Sequence, residues 1–127
     1  MNGRRPMPTH RDLDVWKLSI DWVEGLYRCS ASWPAEERYG LISQVRRAAV
    51  SVAANIAEGA GRRGTGEFIQ FISVARGSLA EVETHLLIAE RLKYVAPDQL
   101  EPLLADMERI GRMLSVLKTR LRERQSR

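Results

Sequence analysis

Gly59-Ala60-Gly61-Arg62-Arg63-Gly64 is the run of this chain best suited to chemistry, because it sets two adjacent guanidinium groups among glycines that let a backbone come close to a ligand. Its GxGxxG spacing is shared with dinucleotide-binding folds, where the motif follows a strand and opens a helix. Here a helical pattern precedes it, so the glycines are read as a turn and no cofactor is expected. A looser phosphate chemistry survives. Amides at the start of the next helix, flanked by Arg62 and Arg63, can hold an anion. Glu58 stands at the carboxyl end of the preceding helix, where the helix dipole disfavours negative charge, so an arginine partner such as Arg62 or Arg63 is expected.

The other candidates for phosphate contact are Arg46, Arg47 and Arg76, together with Arg120, Arg122 and Arg124 near the carboxyl end. Adjacent Arg46 and Arg47 point to different sides of a helix, so at most one of them faces the helix seam. From Arg109 onward there are seven basic residues (Arg109, Arg112, Lys118, Arg120, Arg122, Arg124, Arg127) against the single acid Glu123, so the surplus of positive charge sits there, the remainder of the chain being slightly acidic within a net charge of +4. Such a surplus permits binding to polyanions.

Catalytic sets are not expected. Di-metal bundles place Glu-x-x-His on two helices, whereas here Glu81 precedes His85 by four residues and the other histidine is His10. Cys29 has no histidine near it in sequence, and Glu81 and Glu83 fall on different helical faces, so neither nucleophilic nor paired-carboxylate chemistry is expected, and no metal site. A lone cysteine and the lack of a leader-like segment fit a reducing cytoplasm. The apolar tract from Ala48 to Ala57 is too short and too interrupted to cross a bilayer.

These residues must be positioned by helices, and four stripes can be counted over a length suited to one domain, 1–127. Leu13, Trp16, Ile20, Val23 and Tyr27 predict a helix over about 10–29, with Thr9 and Asp12 as a capping pair. Trp33-Pro34 interrupts it. Leu41, Val45, Ala48, Val52 and Asn55 predict a second helix over 35–58, ended by Gly59 in a left-handed conformation. Asn55 on that seam is expected to satisfy backbone groups or to fix helix register. Thr65 is expected to cap a third helix over 65–94, with the seam Phe68, Ile72, Ala75, Leu79, Val82, Leu86 and Ala89. Leu100, Leu103, Met107, Ile110, Leu114, Leu117 and Leu121 mark a fourth over 98–123, with Pro102 in its tolerant first turn. The tails 1–9 and 124–127 read as loose. The product is an all-α, antiparallel up-down-up-down four-helix bundle.

Large apolar residues remain outside these seams. Val15, Trp22 and Leu26 on the first helix, and Ile42, Ala49, Ala53 and Ile56 on the second, form a further stripe that is read as a self-association surface of a homo-oligomer.

Several segments together resemble a known family. They are Leu13-x-x-Trp16, Tyr27, Pro34 before Glu37-Arg38-Tyr39-Gly40-Leu41, Gln44-x-Arg46-Arg47-Ala48, Ser51-Val52-x-x-Asn55-Ile56-Ala57-Glu58-Gly59 and Ala75-Arg76-Gly77-Ser78-Leu79-x-Glu81. The pattern, from about Asp12 to Leu121, resembles the four helix bundle or 23S rRNA-intervening sequence proteins. That resemblance implies a four-helix bundle assembled into a five-membered ring. A related branch is the accessory protein of diversity-generating retroelements, a basic ring associated with a reverse transcriptase and nucleic acid. The combined expectation is a non-enzymatic, homo-oligomeric adaptor that binds RNA or DNA with little sequence preference. The alternative is a scaffold that docks an acidic protein partner.

Overall fold

The computed structural model describes residues 10–126. A 3-10 turn over His10–Asp12 leads into α1 (Asp14–Ser30), and α2 (Leu41–Ala60), α3 (Thr65–Arg91) and α4 (Pro97–Gln125) follow, with no strand among the described residues. Helices consecutive in the chain lie side by side, and α4 returns against α1. The fold is therefore an all-α, antiparallel up-down-up-down bundle. The loose tail expected over 1–9, including Thr9 of the capping pair, lies outside the described residues.

The seams expected for α3 and α4 are largely the observed ones. Ile72, Ala75, Leu79, Val82, Leu86 and Ala89 are buried, as are Leu100, Leu103, Met107, Ile110, Leu114 and Leu121, while Phe68 and Leu117 sit at the margin. α1 reverses the expectation. Its buried face is Val15, Ser19, Trp22, Leu26 and Ser30, whereas Ile20 and Tyr27 are 43% and 40% exposed. The reason is visible in the two serines. Ser19 Oγ donates to the Trp16 carbonyl at 2.7 Å and Ser30 Oγ to the Tyr27 carbonyl at 3.3 Å, so each hydroxyl enters the core already bonded to its own helix. Trp22 fills the centre and donates its indole N–H to the Leu103 carbonyl of α4 at 3.1 Å.

The stripe read as an oligomer surface is consequently interior to one chain. Val15, Trp22, Leu26, Ala49, Ala53 and Ile56 are all buried in the monomer, and Ile42 is partly so. α2 is buried on both of its apolar stripes because its residues are small enough for α1 and α3 to approach it closely.

Helix ends also differ from expectation. Pro34 opens a 3-10 turn at Ala35–Glu37, and α2 begins only at Leu41, whose amide donates to Glu37 Oε1 at 3.1 Å. The other oxygen of that carboxylate, Oε2, accepts the Tyr94 hydroxyl at 2.9 Å, tying this loop to the α3–α4 turn. Gly59 does not end α2; the helix runs to Ala60 and closes on Gly61, which keeps right-handed dihedrals. α3 stops at Arg91 because Lys93 takes φ 62°, and the Tyr94 amide reaches back to the Ala89 carbonyl at 2.9 Å. Pro102 lies inside α4, beyond its first turn, and both it and Asp98, whose carbonyl loses a donor, face solvent. α4 extends through Arg124, where a loose tail was expected.

Candidate nucleic-acid interface

The bundle's antiparallel order gathers the α2–α3 loop, the start of α3 and the end of α4 at one end. Their proximity is direct: a Cβ on Gly66 would lie 3.1 Å from Gln125 Nε2. This end therefore carries Arg62 and Arg63 from the loop with Arg122 and Arg124 from the last turns of α4. Arg120 sits one turn further in.

The loop is held from below by close helix packing. Gly59 is buried, and a Cβ there would fall 2.7 Å from Phe71 Cβ and 2.8 Å from Phe68 Cδ1. With α2 and α3 in contact, Gly61–Gly64 has only to turn the chain. Thr65 is the first residue of α3 rather than its cap; Gly64 holds the cap position, and no side chain caps the helix. The first amides of α3 thus project from the same end as the arginines, and the dipole adds partial positive charge.

Arg62 pairs with Glu58 at 3.6 Å, and its guanidinium lies 5.1 Å from the centre of the Phe71 ring. Both partners are about half exposed, so the pair adds at most about 1 kcal/mol, and its main effect is to orient the guanidinium. Arg63, Arg122 and Arg124 are exposed and pair with no carboxylate among the described residues.

The remaining candidates are elsewhere. Arg46 is committed to α1: its Nε donates to Ser30 Oγ at 2.9 Å and a terminal nitrogen to the Tyr27 carbonyl at 3.0 Å, with the guanidinium 4.5 Å over the Tyr27 ring. It closes the end of α1 and belongs to the scaffold, not to the basic end. Arg46→Ala is expected to cost about 1–2 kcal/mol in urea unfolding while leaving nucleic-acid affinity within about twofold. Arg47 borders the α2–α3 groove, thirteen residues and so about 20 Å from the end of α2 that leads to Arg62. Arg76 is exposed on α3, away from the loop.

Two features escaped the sequence reading. One is an apolar groove of about 390 Å³ between the start of α1 and α4, with Leu13, Val15, Met113, Val116 and Leu117 in its lining and Arg112 and Arg120 beside them. The spacing of Val116 four residues from both Arg112 and Arg120, which puts the three on one helical face, was the available signal. The other is a polar groove between α2 and α3. Gln44, Arg47 and Ser51 step by three and four residues on one helix, as Ser78, Glu81 and His85 do on the other, and both sets face each other across it. Asn55 closes the line, donating to the Ser51 carbonyl at 2.8 Å and to Ser51 Oγ at 3.0 Å.

Among the described residues no group of three His, Cys, Asp or Glu side chains converges to hold a metal, and no helix is long and apolar enough to cross a membrane. Burial raises the pKa of the Cys29 thiol, away from the thiolate a nucleophile needs.

The family profile described as 23S rRNA-intervening sequence protein matches residues 11–116. Among solved structures, the chain is similar to a protein of unknown function from the S23 ribosomal protein family of Bacteroides thetaiotaomicron. The two share 22% identity with a TM-score of 0.73, over 82% of this chain and 97% of that one. At that identity the likeness concerns the fold. No curated protein matches the chain.

Proposed function

The chain belongs to the 23S rRNA-intervening sequence protein family, and from that premise we propose that it is a non-enzymatic, homo-oligomeric adaptor that grips RNA or DNA through its basic end. The carrying observation is the set Arg63, Arg122 and Arg124, unpaired among the described residues, beside the start of α3, which no side chain caps. Guanidinium groups and free amides together bind phosphate oxygens, which positions a nucleic acid without reading its bases. The family description names a segment of 23S rRNA and no chemical activity. Assembly into a five-membered ring would repeat the weak basic end and raise avidity.

Absorbance of the purified protein at 260 against 280 nm, before and after a high-salt wash, tests this reading. Nucleic acid that copurifies and leaves on washing supports it; a protein free of nucleic acid at low salt counts against it.

The apolar stripe first assigned to self-association is buried, so assembly must use another surface. Leu87, Ile88 and Leu92 of α3 are 43%, 43% and 51% exposed within six residues of one another, and we assign the contact between copies to this part of α3. Ile88→Glu is then expected to shift the protein to smaller species in light scattering at micromolar concentration, with its helicity unchanged. An unaltered mass would remove the assignment.

A second reading is favoured by the groove beside Arg112 and Arg120, whose apolar lining and two arginines, set against the single acid Asp14, suit an acidic protein partner. Nucleic-acid-free protein that binds an acidic amphipathic peptide would favour it.

A further inference from the structure

The α2–α3 groove has a volume of about 280 Å³, just below the size of drug-sized ligand pockets and suited to one small planar group. Its floor is built. Ser51 Oγ accepts from Asn55 Nδ2 at 3.0 Å and shares a proton with Ser78 Oγ at 2.9 Å, while Ser78 is only 6% exposed. Two hydroxyls in such a pair use one proton between them, which leaves the second without an acceptor among the described residues. His85 borders the same space, and its Nδ1 is shielded from solvent with no hydrogen-bond partner. A shielded polar atom of this kind is open to a hydrogen-bond partner, a water or a bound group.

Above the floor stand Arg47 on one helix and Glu81 on the other. Both are exposed, both border the groove, and they form no ion pair with each other. The groove is thus charge-balanced, unlike the basic end, and it presents a fork of donors opposite a pair of acceptors. A neutral planar ligand with acceptors on one edge and donors on the other completes this arrangement.

Resting on the nucleic-acid reading above, we propose that this groove receives one guanine base, with Arg47 donating to O6 and N7 and Glu81 accepting from N1–H and the exocyclic amine. Both contacts are bidentate pairings that the side chains' geometry favours. Adenine would turn its unprotonated N1 toward the carboxylate and its amine toward the guanidinium, so it is rejected at both edges. The guanine can come from a free nucleotide or from an unstacked base of a single strand whose phosphates lie on the basic end.

The test compares a uridine-only RNA oligonucleotide with the same oligonucleotide carrying one guanosine, and GMP with AMP, at fixed salt. Imidazole NMR signals of a His10→Gln variant report on His85 alone. The guanosine oligonucleotide is expected to bind roughly tenfold tighter than the uridine one. GMP, but not AMP, should shift the His85 signals. Glu81→Gln should abolish the guanine preference and leave binding of the uridine oligonucleotide unchanged. Equal affinities with an unmoved His85 would overturn the groove assignment while leaving the charge-driven grip intact. Should neither oligonucleotide bind, that grip falls instead, and GMP decides the groove: a Glu81-dependent His85 shift supports it and no shift overturns it.

Discussion

Trp22→Ala is expected to destabilise the protein by about 3–5 kcal/mol, while Ile20→Ala, two residues earlier on the same helix, changes stability by no more than about 0.5 kcal/mol. Trp22 is 1% exposed and Ile20 43%. The truncation removes the largest apolar surface that α1 contributes and opens a cavity between α1 and α4. It also removes the hydrogen bond that the Trp22 indole N–H donates to the Leu103 carbonyl at 3.1 Å, which adds to the loss although that carbonyl, inside α4, keeps its helical donor. Chemical denaturation of the two variants beside the parent checks the contrast. Comparable losses at both positions would mean that α1 does not bury the face described here.

Gly59→Ala is the second large effect, and its sign is informative. Glycine to alanine inside a helix ordinarily gains about 1 kcal/mol from propensity, and Gly77→Ala, where a new Cβ meets nothing within 4 Å, should show a gain of that kind. At Gly59 the added carbon would come within 2.7 Å of Phe71 Cβ, an atom fixed to the α3 backbone, and 2.8 Å of Phe68 Cδ1. α3 must then move away from α2. Overpacking of this sort costs about 1–3 kcal/mol, enough to outweigh the propensity gain. Thermal melts should therefore move in opposite directions for the two substitutions. The displaced helix begins at Thr65 and is joined there to the loop that holds Arg62 and Arg63, so Gly59→Ala should weaken nucleic-acid binding where Gly77→Ala does not. Parallel shifts in Tm would contradict the close approach of the two helices.

The long stripes of α3 and α4 were legible because one apolar face recurs through many turns and no second face competes. α1 was not, since its two stripes have the same helical spacing and hydropathy ranks Ser19 and Ser30 below Ile20 and Tyr27. Only the backward hydrogen bonds of the two serines show why the face that carries them can enter the core. Gly59 was read for backbone freedom, yet its role comes from the approach of α3, a long-range fact absent from local sequence. Among the arginines, the need of Glu58 for an arginine partner was legible from the helix dipole, with Arg62 and Arg63 both open, and the structure supplies Arg62. The commitment of Arg46 to the end of α1 required knowing which of two adjacent side chains turns toward Tyr27. The polar groove escaped for a related reason. Each of its walls is an ordinary solvated stripe until the two helices are set side by side.

The charge-driven grip of the basic end is tested most directly by the salt dependence of RNA binding. Fluorescence anisotropy of a labelled single-stranded RNA, followed across salt concentrations, gives the slope of log affinity against log salt. A steep negative slope is expected for the parent protein. Replacing Arg63, Arg122 and Arg124 together by glutamine should reduce its magnitude by about 2, at roughly 0.7 for each phosphate that is no longer neutralised. A flat dependence, or a slope unchanged by the triple replacement, would contradict the charge-driven grip.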